Sequence, residues 1–392
     1  MSFAKSIMPK NWKGLLYLAM LLSVMASCKK RTIATYNPGL VGPAAPVWDA
    51  NAIRGVWVTT AASTALNSRA NIQEMVANCK TAGINNIFVV VYNNARTMYP
   101  SAVMNNLIGK PILETFAGRD PLQEVILEAH AAGLKVHAWF EYGFSSSYSA
   151  SGGPIVAAKP AWAARDASGA LTVKNGFDWL NGIHPEVQQF MIDLFKEVIT
   201  NYNVDGVQGD DRLPAMPTTG GYDPYTVNLY KSENGGASPP ASFSDAGWIT
   251  WRAKKLNAFL KRLRTEVKTL KPAIQFTMAP SPYPFGLTEY LQDWPTWVDS
   301  SWVDAVMPQC YRYDIAAYNA TIAQQKTYYK NTAVPFYPGV LLKSGTYTAA
   351  NTFLTQMVQT NRTNGFKGEC FFFYEGLKDV PAWFTGQYPY IK

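Results

Sequence analysis

The stretch Val204–Arg212, VDGVQGDDR, decides how the rest of the chain is read. Val204, Val207 and the glycines around them have the composition of a short buried strand, and Asp210 and Asp211 stand where that strand must end. Acids at the C-terminal end of a parallel strand are where an α/β barrel carries its chemistry. Asp also favours turns and helix caps, so the pair gains meaning only from its surroundings. Side chains alternate along a strand. Gln208 and Asp210 therefore share one face, while Asp211 points the other way or into the loop. If Gln208 faces the interior, Asp210 faces it too.

Outward from this strand the chain alternates. Apolar runs at 53–60, 84–93, 134–140 and 204–210 are separated by helical patterns at 69–82, 121–132 and 185–201. The second half has runs at 273–279, 302–311, 334–342 and 368–374, with helical patterns at 246–270, 287–294, 315–330 and 349–364. Near-continuous apolar strands belong to a parallel sheet covered on both faces. Eight such units in a row predict an α/β fold, a single (β/α)8 TIM barrel over residues 51–392. The loops after strands 3 and 4, residues 141–184 and 211–243, are the longest of the catalytic end and would wall a groove there. No Gly-rich phosphate loop opens a helix, which counts against a nucleotide-binding sheet.

The formal charge of +8 does not point to nucleic acid. Lys5, Lys10, Lys13, Lys29, Lys30 and Arg31 supply six of the 35 basic residues and no acid precedes Asp49, so the remainder holds 29 bases against 27 acids. No basic stripe is left to follow a phosphate backbone. The early lysines precede an apolar run, Leu15–Ala26, that matches a secretory signal and is short for a membrane span. It ends in Val24-Met25-Ala26-Ser27-Cys28, which resembles a bacterial lipobox with Met25 where Leu is usual. Residues 1–27 are thus expected to be a lipoprotein signal peptide, Cys28 the acylated residue, and 28–50 a Pro/Ala/Gly-rich tether. The expected location is the bacterial cell envelope, periplasm or cell surface, with the membrane as partner through the anchor.

Cys79, Cys310 and Cys370 remain, an odd number without metal-ligand spacing, and the last two read as buried thiols. His130, His137 and His184 show no zinc spacing. No metal or other cofactor is expected. His137 lies mid-strand and reads as a satisfied interior histidine; His184, before Pro185, reads as a helix-terminus residue.

Several strand ends converge on one rim. Glu141 follows strand 3, Asp210 and Asp211 follow strand 4, and Glu375 follows strand 8. Amides and aromatics stand among them. Glycoside hydrolysis needs one acid to protonate the leaving oxygen and one carboxylate as nucleophile or base. Asp210 is expected to be the nucleophile or base with Asp211 as its partner, and Glu141, then Glu375, the general acid. Either glutamate also has a structural reading, as an ion-pair partner or a cap of the last helix. Arg54, Trp57, Asn93, Gln208, Tyr283, Gln309 and Tyr311 are the expected substrate-binding residues. No G-x-S-x-G elbow or Cys–His arrangement favours acyl transfer.

RGVWVTT (54–60), DPLQEVILEAHAAGLKVHAWFEYGF (120–144), WLNGIHPEVQQF (179–190) and VDGVQGDD (204–211) occur in that order. GYDPYTVNLY (221–230), SPYPF (281–285), LQDWPTW (291–297) and QCYRYD (309–314) continue the series. Together they resemble the glycosyl-hydrolase-like 10 family of bacterial envelope proteins, over roughly residues 50–390. The resemblance implies a (β/α)8 barrel that hydrolyses a glycan, with peptidoglycan glycan strands a substrate associated with the family. Strand 4 also resembles the D-G-F-R-x-D pattern of α-amylase-type barrels, whose last Asp is the nucleophile. This chain departs from the family pattern I-Q/H-F-D-D-H/Y at Gly209 and Arg212, which alters the subsite beside the carboxylates. A non-catalytic glycan-binding lipoprotein is the rival reading, since fold does not entail activity; a hydrolase of another bond, such as an amide, is a weaker third.

Overall fold

The computed structural model describes residues 45–392, so the expected signal peptide, Cys28 and most of the tether lie outside the described residues. Strands β1 (Arg54–Val58), β2 (Asn86–Val90), β3 (Lys135–Phe140), β4 (Gly206–Gly209), β5 (Gln275–Met278), β6 (Ala305–Val306), β7 (Gly339–Leu341) and β8 (Glu369–Phe372) form one sheet. All pairings are parallel, and the spatial order is 6-5-4-3-2-1-8-7. The sheet curls until β6 meets the segment that leads into β7. Val306 bridges Phe336, with Val306 N donating to Pro335 O (3.0 Å) and Tyr337 N to Val306 O (2.9 Å). Runs 302–311 and 334–342 yield only short ladders because Pro308, Pro335 and Pro338 bring no N–H to them.

Helices α1 (Arg69–Thr81), α2 (Pro121–Ala131), α3 (Pro185–Asn201), α4 (Ala246–Leu270), α5 (Trp294–Asp299), α6 (Ile315–Tyr328), α7 (Asn351–Thr363) and α8 (Pro381–Gly386) alternate with the strands. Their starts are written in the sequence. Ser68, Asp120, Asp245 and Asp314 each accept a bond from the backbone N–H three residues on, a contribution of about 1 kcal/mol each. His184 caps α3 through Nδ1, which accepts from Glu186 N, as its place before Pro185 predicts. The helix expected at 287–294 is instead two short ones, Phe285–Tyr290 and α5, parted at Leu291, whose φ is +60°.

The two long loops are structured. The one after β3 carries an antiparallel sheet of Ser145–Tyr148, Val173–Lys174 and Phe177–Trp179, and the one after β4 carries the helix Pro224–Glu233. The tether ends sooner than residue 50: Val47 N donates to Pro389 O (2.9 Å), and Trp48 packs on Tyr388 with Arg54 stacked 4.3 Å above it. Cys79, Cys310 and Cys370 are buried and unpaired.

Inside the curl, alternate residues of each strand point inward. Trp57 Nε1 on β1 donates to Gln208 Oε1 on β4 at 2.7 Å, so both face the interior. Below them Phe88 stacks on His137 (4.4 Å), whose Nε2 lies 2.8 Å from Asn86 Oδ1. Burial pushes the His137 imidazole down to about 3, so it stays neutral and structural. Gly206 shares this layer because a Cβ there would sit 2.0 Å from His137 Nδ1. Outward-facing positions hold the helices: Phe140 stacks on Phe195 of α3 at 3.7 Å, fixing the end of β3 just before Glu141. Truncating such a ring costs about 3–5 kcal/mol.

Candidate active site

The inward period carries past the strand ends. On β1 it runs Gly55, Trp57, Thr59; on β3 His137, Trp139, Glu141; on β4 Gly206, Gln208, Asp210. Phe140 is in register with Gly209, so Glu141 and Asp210 come next, side by side on adjacent strands roughly 4.8 Å apart in backbone. Both are almost fully buried, at 7% and 2% exposure.

Glu141 Oε2 accepts from Thr59 Oγ1 (2.9 Å) and Asn93 Nδ2 (2.5 Å). Its other oxygen, Oε1, accepts no bond among the described residues. Asp210 is held at both oxygens: Gln309 Nε2 donates to Oδ1 (2.5 Å) and Arg212 Nη2 to Oδ2 (3.2 Å). Gln292 fixes the Asp210 carbonyl (3.2 Å) and accepts from Ser281 N (3.0 Å), tying β4 to the start of the loop after β5.

Arg212 joins the three acids. Its Nε donates to the Glu141 carbonyl (3.1 Å), and Nη1 lies 3.1 Å from Asp211 Oδ1. That last contact is an ion pair by distance but lacks hydrogen-bond alignment, since Asp211 Oδ1 counts as buried without a bonded partner. The guanidinium lies 4.6 Å from the centre of the Phe177 ring and 5.4 Å from that of Tyr142.

Three carboxylates around one guanidinium do not balance. Burial, then the charge of Asp211, pushes Asp210 well above the usual carboxylate range against the pull of Arg212. Burial raises Glu141, with Arg212, Asn93 and Thr59 opposing. Burial works against the charge of Arg212, yet Asp211, Asp210 and Glu141 together hold it above its ordinary value. Burial and then Asp210 raise the Tyr311 phenol. A cluster of this kind keeps a proton at pH values where exposed carboxylates have lost theirs.

The structure brings together Asp210, Asp211, Glu141, Asn93 and Gln309. Gln208 and Trp57 sit beneath them, bonded to each other and sealed from solvent, so they shape the floor of the site and do not reach its opening. Tyr311 lies over that floor, against Trp57 and Phe372. Tyr283 stands at the rim against Tyr328 and Trp294. Glu375 accepts from Ser63 Oγ (2.7 Å) and pairs with Lys378, with no bond to the other acids. Arg54 is not brought here: it opens β1 at the opposite end, donating to Gly83 O and Asp49 O. A hollow of about 670 Å³ also lies at that opposite end, by Tyr337 and Phe366, where Asp49 is paired with Lys367 and no carboxylate pair is present.

Thr59, Gln292, Phe177 and the clamp made by Arg212 were not expected. The period from Trp57 would have found Thr59; nothing local marks Gln292 or Phe177, whose roles arise from long-range packing. At Gly209 a Cβ would lie 2.5 Å from Met278 Sδ and 3.1 Å from Leu213 O. The aromatic residue usual in that place has no room in this chain.

The sequence signature of the glycosyl hydrolase-like 10 family matches residues 52–355. The glycosyl hydrolase DigH of Escherichia coli (strain K12) is 28% identical over 355 residues, covering 77% of each chain. Among solved structures, the glycoside hydrolase domain of PgaB (BpsB) from Bordetella bronchiseptica superposes with a TM-score of 0.66 at 14% identity, covering 87% of this chain and 99% of that one. The α-L-fucosidase isoenzyme 2 of Paenibacillus thiaminolyticus gives 0.63 at 16%, covering 86% and 49%. These structural likenesses speak to the fold, an eight-stranded parallel curled sheet of the glycoside hydrolase barrel type. The match across residues 52–355 assigns the chain to the glycosyl hydrolase-like 10 family.

Proposed function

We propose that this protein is an exported, lipid-anchored glycoside hydrolase, a closed (β/α)8 barrel that cleaves O-glycosidic bonds of a cell-envelope glycan, with peptidoglycan glycan strands the first substrate to test. The observation that carries the reading is the pair Glu141 and Asp210, neighbours on one inward face with opposite hydrogen-bond surroundings. Both oxygens of Asp210 face N–H donors, which favours the ionised form. No bond among the described residues reaches Oε1 of Glu141, and burial favours its neutral form. Burial raises both acids, Asp210 the more; the two N–H donors on Asp210 are the reason this reading places the shared proton on Glu141.

From this follow the roles. Glu141 donates its proton to the leaving glycosidic oxygen. Asp210, ionised, attacks the anomeric carbon or activates a water for that attack. Asp211 and Arg212 hold Asp210 in place and keep the developing positive charge of the sugar near net negative charge. Asn93 and Gln309 fix the two carboxylates and border the substrate. Similarity to DigH supports the glycan substrate; export and acylation at Cys28 rest on the charged and apolar pattern of residues 1–28.

The test incubates the domain, residues 32–392, with peptidoglycan stripped of stem peptides and with a panel of polysaccharides. Wild type is expected to release reducing ends, Asp210→Asn and Glu141→Gln to bind the same glycan without releasing them. Binding without release by wild type across the panel would replace the hydrolase with a glycan-binding barrel.

A further inference from the structure

We propose that the mouth of the barrel holds the glycan on two aromatic platforms set on opposite sides of Glu141 and Asp210, so that the chain is gripped on both sides of the bond and cut internally. The inference rests on the glycan reading of the site and adds its mode of binding.

The first platform grows from the catalytic cluster. The guanidinium of Arg212 lies against Phe177 at 4.6 Å; Phe177 meets Tyr142 edge-on at 5.5 Å and Tyr148 edge-on at 5.2 Å. The series ends in solvent, because Tyr148 is 54% exposed. An exposed aromatic usually costs nothing and means nothing, but this one is held. Asp178, on the strand beside it, accepts from Ser147 Oγ (2.6 Å) and Ala150 N (3.1 Å). The turn at the far end is pinned by the Lys174–Glu289 ion pair and by Asn175 Nδ2 donating to Tyr290 OH (2.9 Å).

The second platform is built from other loops. Tyr313, two residues beyond Tyr311, is 65% exposed and meets Tyr347 edge-on at 4.9 Å. Tyr347 lies on a hairpin, Lys343–Ser344 with Tyr347–Thr348, that follows β7. Asp379 anchors that hairpin by accepting from Lys343 Nζ (2.6 Å) and Thr348 Oγ1 (2.7 Å). In the strand order, β7 stands across the mouth from β3. The two aromatic groups thus rise from facing walls of the mouth, while Glu141 and Asp210 point inward from the ends of β3 and β4.

Pyranose rings present a C–H face and a rim of hydroxyls. An aromatic ring fixed in place matches that face and loses little entropy when it binds. Two such rings with the scissile site between them fit a substrate that continues in both directions. They do not fit a single sugar docked end-on.

The experiment uses sized glycan strands, long chains against tetrasaccharides, prepared from stripped peptidoglycan. Tyr148→Ala and Tyr313→Ala are each expected to raise KM on long chains about tenfold with kcat unchanged, and to leave tetrasaccharide kinetics within about twofold. Tyr148→Phe and Tyr313→Phe keep wild-type values. Products of wild type appear first at intermediate lengths. Equal effects at all lengths, or release only of the smallest sugars from the start, would overturn the proposal. The same tyrosine changes are placed in Asp210→Asn and long-chain binding is measured by sedimentation. Weakened binding supports the platforms even where wild type hydrolyses nothing, whereas unchanged or absent binding overturns them.

Discussion

Two buried charge clusters lie at the two ends of the same curled sheet, and they are built to opposite rules. At the start of β8, Glu369 is sealed from solvent and accepts four bonds: Arg362 Nη1 to Oε2 (2.8 Å), Arg362 Nη2 to Oε1 (2.9 Å), Asn361 Nδ2 to Oε2 (3.2 Å) and Tyr388 OH to Oε1 (2.6 Å). One acid meets one guanidinium in a fork and no lone pair is wasted. At the other end Arg212 is divided among Asp210, Asp211 and the Glu141 carbonyl, and one Glu141 oxygen has no bonded partner among the described residues. A balanced pair joins segments: Glu369 ties β8 to α7 and to the C-terminal Tyr388. An unbalanced cluster stores unfavourable charge, which is what proton transfer uses.

The contrast breaks most sharply on removal of a charge from each end. Asp210→Asn is expected to lower kcat by roughly 10³-fold or more, about 4 kcal/mol of barrier, while its melting temperature at neutral pH equals or exceeds that of the parent. Glu369→Ala does the reverse. It leaves Arg362 and Tyr388 without their acceptor at a cost of about 3–5 kcal/mol, read from urea unfolding, and turnover per folded molecule is unchanged. A marked fall in the stability of Asp210→Asn would make the mouth a structural ion cluster, and near-neutral Glu369→Ala would remove the distinction.

The two ends were not equally legible in the sequence. The alternation of apolar runs and capped helical patterns forecasts eight strands in their order, and the period of two sends Asp210 and Glu141 inward once Gln208 and Trp139 are known to face the core. Arg54 misled because an Arg beside an apolar strand has no direction of its own. It belongs to the first residue of β1, not the last, and so to the end that Glu369 organises. Gly209 and Arg212 stand out as departures from the family pattern, but only packing gives them meaning: Met278 and Leu213 exclude a side chain at Gly209, and Arg212 turns back onto the acids. Phe177 lies thirty-six residues from Glu141 in the chain and reaches Arg212 only because the loop after β3 folds into its own sheet, a long-range event with no local signature.

Arg212 sharpens the comparison at smaller scale. Arg212→Lys keeps a positive charge but loses the fork and the stacking on Phe177. Lys has one nitrogen for the work of three, so Asp210 and the Glu141 backbone are no longer fixed together. The expected loss in kcat is about 10- to 100-fold, roughly 1.4–2.8 kcal/mol, with glycan binding unchanged. The pH limb governed by Glu141 moves upward as the guanidinium that opposes its protonation is weakened. A loss confined to KM would make Arg212 a substrate contact instead.

The smallest effect is the pH dependence of stability, and its sign separates the two ends. Asp210 and Glu141 have raised values in the folded protein, above the ordinary 3.8 and 4.5. From those ordinary values up to the raised ones, the folded protein holds protons that the unfolded chain has released, so stability falls as pH rises. Asp210→Asn removes the share of Asp210. The melting temperature of this variant relative to the parent should be level near pH ~4, climb as pH increases, and flatten above the raised value, at about 1.4 kcal/mol for each pH unit of displacement. The difference between two proteins cancels the exposed ion pairs, which titrate alike in both. A difference that stayed flat with pH would mean that Asp210 is no harder to ionise inside the barrel than in the unfolded chain. The mouth would then be as settled as the floor, and the imbalance around Arg212 would carry no stored free energy for catalysis.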